Sequence, residues 1–198
     1  MDFLNAIILI SNFVIVPSIT YGSQLALGAI GVTLIYGVLR FANFAYGDLM
    51  AFGTMCVILF TWLFQSYGIN FGILPTALLA LPFGIILTIG VSLFFDKTVF
   101  EYYRNKKSSP VTFIVVSLGI MFVLNAVVRI IIGPNDIFFM DGSRFLISAV
   151  DFKESTGLSE GLTIKSTQII TIITTSITCF ILFNFLNKTK TGKSMRAY

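Results

Sequence analysis

The chain has 198 residues, of which 56% are hydrophobic, 15% aromatic and only 11% charged, and its mean hydropathy is +0.93. A soluble domain carries roughly 25% charged residues. This chain therefore cannot cover the surface of a water-soluble globule, and its composition excludes a disordered chain, a coiled coil and a nucleic-acid-binding domain. The net charge of +4 matters less than the position of the basic residues. We predict a multi-pass protein of the lipid bilayer, without a nucleic-acid partner.

Six hydrophobic runs follow one another along the chain, at residues 3–17, 23–39, 44–64, 71–95, 111–132 and 166–186. As helices, the last four are long enough to cross a hydrocarbon core of about 30 Å. The first run is short and ends at Pro17. We interpret it as a retained helix rather than a signal peptide, because Asp2 replaces the basic n-region and no A-x-A-like cleavage site follows. The predicted fold class is all-α, a polytopic membrane bundle of about six transmembrane helices.

The basic residues divide unevenly between the predicted loops. The positive-inside rule places segments 96–109 and 187–198 in the cytoplasm and the long loop 133–165 outside the plasma (inner) membrane. Counting back through six spans then predicts a cytoplasmic N-terminus. Arg129, near the outer end of the fifth run, can reach the interface. The cytoplasmic set is Arg40, Lys97, Arg104, Lys106, Lys107, Lys188, Lys190, Lys193 and Arg196; the outer loop holds Arg144, Lys153 and Lys165 with Asp136, Asp141, Asp151, Glu154 and Glu160.

Residue types that carry catalysis are scarce. The chain has no histidine, and Cys56 and Cys179 lie in apolar runs without metal-ligand spacing. Gly192-Lys193-Ser194 resembles the end of a phosphate-binding loop, but that motif needs glycine at position 187, which is Asn187. We therefore predict no catalytic residue, no metal, no cofactor and no nucleotide-binding site of the chain's own.

A polar interruption, Asn43-Phe44-Ala45-Tyr46-Gly47-Asp48, separates two apolar runs within a stretch (22–53) that holds six of the 16 glycines. Polar groups at membrane depth are tolerated against protein or a water-filled cavity, so they often mark a solute path. Two structural alternatives stay open: Asp48 as the N-cap of the third helix, and Asn43 in a turn at the cytoplasmic interface. The glycines are also explained by close helix packing.

Asn125 and Arg129 are four residues apart in the fifth run and share one helix face. One interpretation is that the pair faces inward and lines a pathway. The other is that Arg129 lies at the interface while Asn125 bonds a neighbouring helix.

The sequence GVTLIYGVLRFANFAYGDLMAFG at 31–53 is similar to the N-terminal signature of branched-chain amino acid ABC transporter permeases of the LivH type. That signature is built around an Asn-Phe-Ala-His-Gly core. Asn43, Phe44, Ala45 and Gly47 match the core, and Asp48 stands where an acidic residue is usual. Tyr46 replaces the histidine, so no imidazole role carries over. Ser117-Leu118-Gly119, Asn125, 133–136 and 191–197 also resemble the family, whereas 96–107 fits less well.

The resemblance implies a permease subunit that imports branched-chain or related amino acids by alternating access. It would pair with a second permease subunit (the same or a different chain), two cytoplasmic ATPase subunits and an external solute-binding protein. The loop 133–165 would help dock the binding protein. We expect a substrate pathway near Asn43, Phe44, Gly47, Asp48 and Asn125, and contact with an ATPase through Gly192, Lys193, Arg196 and Ala197.

Two alternative functions stay open beside this interpretation. Similar permeases carry urea or short amides, so the solute stays open. A stand-alone channel or secondary carrier is the other alternative, but it needs ionisable groups deep in the helices. Because the family's chains continue further, we expect residues 1–198 to be a single transmembrane permease domain that represents roughly the first two-thirds of a subunit.

Overall fold

The structure, a computed structural model, describes residues 2–69, 75–135 and 145–197. Asp136, Asp141 and Arg144 of the predicted outer loop lie outside the described residues. The elements are α1 (Asp2–Ile10), α2 (Val16–Leu39), α3 (Ala45–Ser66), α4 (Ala77–Phe95), α5 (Glu101–Asn105), α6 (Pro110–Ile132), β1 (Phe145–Ile147), α7 (Ala149–Thr156), β2 (Ile164–Lys165), α8 (Ser166–Lys188) and α9 (Lys190–Ala197), with π-helical segments at Ser11–Ile15 and Asp96–Phe100.

Within the described residues, five helices are long and apolar enough to cross a membrane: Phe3–Leu39, Ala45–Ser66, Ala77–Asn105, Pro110–Ile132 and Ser166–Lys188. The all-α polytopic fold is thereby confirmed. The first two predicted runs form one helix of 37 residues, so the count is five where about six were expected.

Pro17 does not end this first helix, because it lies two residues after the end of the π-helical segment Ser11–Ile15. A proline has no N–H to donate, and in a regular helix its ring clashes with the carbonyl group four residues earlier. A π-helical turn changes the spacing of hydrogen bonds just there, which lets a membrane helix continue through a proline.

The chain divides into two compact units, one of residues 34–141 and one of residues 1–33 with 142–198. In the 34–141 unit, α3 packs against both α4 and α6. The contact with α4 is close: a β-carbon on Gly84 would lie 2.4 Å from Val57 Cγ2, and one on Gly53 would lie 2.8 Å from Thr88 Oγ1. The interpretation of the glycines at 22–53 as helix-packing positions therefore applies to Gly53. It does not apply to Gly22, Gly28, Gly37 or Gly47, where a β-carbon would meet nothing within 4 Å.

In the other unit, Asn12 of the π-helical segment holds the loop that precedes α8. Its Nδ2 donates to the Gly161 carbonyl oxygen at 2.7 Å, and its Oδ1 accepts from the Thr163 N–H at 2.9 Å. β1 and β2 pair antiparallel in the same loop. These bonds place the N-terminal part of the first long helix beside the start of α8.

Candidate functional site

The linker between α2 and α3 is anchored by a buried aromatic cluster. Phe41 is 6% exposed, and its ring centroid lies 5.1 Å from that of Phe113 and 5.9 Å from that of Phe100. Arg40, just before it, has φ +58°, an uncommon conformation for a residue other than glycine. The cluster holds the linker against the start of α6, which determines where α3 begins.

α3 begins beside a point about a third of the way along α6 rather than beside its end. The Phe44 N–H donates to Ser117 Oγ at 3.1 Å, and Ser117 is fully buried. Ala45 packs with Ile120 and Leu124 of α6 in a buried apolar cluster. Since Ser117 lies seven residues into α6, at 1.5 Å rise per residue the start of α3 is about 10 Å along that helix. The polar interruption thus lies within the length of a spanning helix.

Three polar side chains form a continuous chain between α3 and α6. Asn125 Nδ2 donates to Asp48 Oδ1 at 3.1 Å, and Arg129 Nε donates to Asn125 Oδ1 at 2.8 Å. Asn125 lies fifteen residues into α6, about 22 Å along a helix of about 33 Å. The amide therefore connects a carboxylate to a guanidinium across two helices, and we call this set the Asp48–Asn125–Arg129 chain.

The structure brings Asp48 and Asn125 together directly. Of the other predicted pathway residues, Asn43 and Phe44 lie just before α3 and Gly47 lies in its first turn. Asp48 does not cap α3: the N-cap is Phe44, without a side-chain cap bond. Asn43 is half-buried, and its Oδ1 accepts from the Ala45 N–H at 3.1 Å, which is a turn interaction. Phe44 is 52% exposed, and a β-carbon on Gly47 would meet nothing within 4 Å. This face of the helix start is open.

Asn125 and Arg129 are themselves exposed in the chain. Polar and charged side chains facing hydrocarbon are costly, so such groups within a span face a water-filled path or other protein. The Asp48–Asn125–Arg129 chain thus has an exposed side, next to the open first turn of α3.

A cavity of about 540 Å³ lies next to the linker between α2 and α3. The ends of α2 and α4 and the start of α6 also line it. Its polar side chains include a bidentate ion pair, in which Arg104 donates to both oxygens of Asp96 at 2.9 Å. Asn43 lines this cavity and also a smaller one of about 70 Å³ next to it. We call the larger one the inner cavity; its lining is Ile35, Val38, Leu39, Arg40, Phe41, Asn43, Ser92, Leu93, Asp96, Phe100, Arg104, Ser108, Pro110 and Phe113.

The predicted ATPase-contact residues lie on α9, which turns back on the end of α8. Thr189 begins it, since its Oγ1 accepts from the Gly192 N–H at 3.0 Å. A β-carbon on Gly192 would lie 2.4 Å from the Phe185 carbonyl oxygen, so only glycine fits there. Lys193 is exposed, while Arg196 and Ala197 belong to the last turn of the helix. The segment thus presents a short helix next to a membrane span.

Some residues of this region were missed as functional candidates. Ser117 appeared only as part of a family motif, and its bond to the Phe44 N–H has no signal in the sequence. Arg104 was counted only among the cytoplasmic basic residues and Asp96 was given no role, although the two form the ion pair of the inner cavity. Within the described ranges no three cysteine, aspartate or glutamate side chains lie together as metal ligands would.

Comparison with known proteins identifies the family. The profile of the family described as "Branched-chain amino acid transport system / permease component" matches residues 14–198. A search of curated proteins gives no match, and a search of solved structures gives none. The match covers both compact units and the predicted signature at 31–53. The chain therefore belongs to the family of permease components of branched-chain amino acid transport systems.

Proposed function

We propose that this permease component imports branched-chain or related amino acids as part of an ATP-driven ABC transporter that works by alternating access. The observation that carries the proposal is the Asp48–Asn125–Arg129 chain, a set of polar groups within the length of two spanning helices. Ionisable groups within membrane spans are by default candidates for a functional site, and solute pathways are among the roles they mark. The family membership supplies the solute class.

The first turn of α3, together with Asn125 and Arg129 of α6, would supply the contacts that an amino acid needs. An amino acid carries a carboxylate and an ammonium group, so its path requires donors and acceptors at the same depth. Asp48 offers a carboxylate acceptor, while Asn125 and Arg129 offer donors. Phe44 and the space beside Gly47 adjoin them on the same helix turn. We propose that a solute passes along this face of α3.

The partners are those that the family resemblance implies, and each would contact a different part of the chain. A second permease subunit would cover the exposed polar face of α3 and α6, so that the pathway lies between the subunits. Two cytoplasmic ATPases would supply the energy, one of them through α9 and its residues Gly192, Lys193, Arg196 and Ala197. An external solute-binding protein would dock on the outer loop, whose helix α7 presents Asp151 and Glu154.

Uptake by purified components tests this function and separates it from its alternatives. In liposomes with the full permease pair, the ATPases and the binding protein, we expect leucine uptake that requires ATP and that urea does not inhibit. Urea uptake instead would reassign the solute to the amide class. Uptake by vesicles without ATPase would favour a channel or secondary carrier, in which Asp48 would be the ionisable group.

We also propose that the N-terminus lies outside the cell, opposite to the side expected from six spans. Asn12 is bonded to Gly161 and Thr163, just before α8 begins. The other end of α8 is followed by Lys188, Lys190 and Lys193, which the positive-inside rule assigns to the cytoplasm. The start of α8, and Asn12 with it, would then be outside. Counting back through five spans leads to the same side.

Cysteine labelling in intact cells tests this orientation. After replacement of Cys56 and Cys179 by serine, a single cysteine is introduced at Phe3, which is 79% exposed. An impermeant maleimide should label Phe3→Cys and the outer control Ser155→Cys, but should reach the inner control Lys106→Cys only after permeabilisation. Labelling of Phe3→Cys only in permeabilised cells would place the N-terminus in the cytoplasm.

A further inference from the structure

The inner cavity has walls unlike those of a path for a polar solute. Most of its lining is apolar, and three of its wall residues, Val38, Leu39 and Leu93, are also exposed, by 43%, 38% and 63%. The cavity is therefore open at its side, where the spanning helices face hydrocarbon. A volume of about 540 Å³ is within the range of ligand sites. Its shape and walls suit an apolar chain better than a free amino acid.

The charged residues of the cavity lining leave one positive charge unbalanced. Asp96 and Arg104 neutralise each other in their bidentate ion pair. Arg40 also lines the cavity, and it has no ion-pair partner among the residues that the structure describes. The remaining polar lining residues, Asn43, Ser92 and Ser108, carry no charge. The cavity thus favours a ligand with a single negative group.

The backbone conformation of Arg40 is a second reason to assign a function to its side chain. Arg40 follows the last residue of α2, and its N–H donates to the Tyr36 carbonyl oxygen at 2.9 Å. This is the position after a helix where glycine is favoured, because φ is positive. An arginine at φ +58° is strained, and such strain often accompanies a functional side chain.

We propose that the inner cavity binds an anionic phospholipid, with its phosphate at Arg40 and an acyl chain along Val38, Leu39 and Leu93. Basic pockets between membrane helices bind anionic headgroups in this way. The orientation proposed above is needed only to assign the lipid to the inner leaflet. A water-soluble anion would gain no binding energy from the apolar wall. We therefore assign the cavity to the phospholipid rather than to a free anion.

Native mass spectrometry of the purified full chain in detergent measures this binding directly, with phosphatidylglycerol and phosphatidylcholine as probes. We expect a bound phosphatidylglycerol in the wild type and its loss, by about fivefold in affinity, in Arg40→Gln, as for one basic residue at an anionic surface. Lys97→Gln, a matched change at an exposed lysine that does not line the cavity, should bind as the wild type does.

Val38→Trp provides a second variant that leaves the charge intact and fills the apolar wall. It should weaken the binding of both lipids. Equal lipid retention by Arg40→Gln and Lys97→Gln, or unchanged retention by Val38→Trp, would overturn the site. Displacement of the lipid by millimolar inorganic phosphate would also overturn it, in favour of a free-anion site. Because none of these measurements uses transport, loss of the proposed import function would leave the result intact.

Discussion

Asp48→Leu is expected to reduce amino acid uptake by at least about tenfold while the protein is still made and assembled. The substitution removes the carboxylate that accepts from Asn125 Nδ2 and leaves that amide without its acceptor. A hydrogen bond to a charged group contributes about 1.5–3 kcal/mol, which corresponds to roughly 10- to 150-fold in a rate or an affinity. Uptake in liposomes measures the effect, and size-exclusion chromatography measures assembly.

Neighbouring variants show whether Asp48 and Asn125 act as one unit. Asn125→Leu should have a similar effect, and the double variant Asp48→Leu with Asn125→Leu should be no worse than either alone, because the same interaction is lost. Met50→Leu, at an exposed position of the same helix, is the control and should transport normally. Asn43→Leu should also impair uptake. If Asn43→Leu and Asp48→Leu both leave uptake unchanged, the pathway does not lie here.

The spanning helices could be predicted because hydropathy is a property of each segment by itself. Whether Pro17 ends the first helix could not be predicted in the same way. Its effect depends on the hydrogen-bond pattern of the turn before it, and the π-helical segment Ser11–Ile15 changes that pattern. Two runs that looked separate are therefore one helix, and this one difference reverses the side on which the count places the N-terminus.

The candidate site was predictable only in part, for a related reason. Asn43 and Asp48 stand out because polar residues are rare in apolar stretches. The partner of Asp48 is 77 residues away, and the depth of both depends on the bond between Phe44 and Ser117. That depth is a matter of tertiary packing. It separates a carboxylate at the end of a spanning helix from one that lies opposite the C-terminal half of α6.

Gly192→Ala is expected to reduce uptake by roughly tenfold while the ATPases keep hydrolysing ATP. A β-carbon at this position would lie 2.4 Å from the Phe185 carbonyl oxygen and 2.6 Å from Leu186 Cα, and both are backbone atoms. α9 would have to move away from the end of α8, because forcing an extra carbon into a packed contact costs about 1–3 kcal/mol. If α9 transmits ATPase closure, this displacement uncouples hydrolysis from transport.

Gly90→Ala is the matched control, since the same methyl group there would meet nothing within 4 Å in a spanning helix. It should transport as the wild type does. Uptake and ATP hydrolysis are measured together in liposomes that contain the partner subunits. Lys193→Ala, at an exposed position one residue further along α9, should instead weaken association with the ATPase, because it removes a surface charge without moving the helix. A Gly192→Ala protein that transports as well as Gly90→Ala would mean that α9 does not carry the coupling.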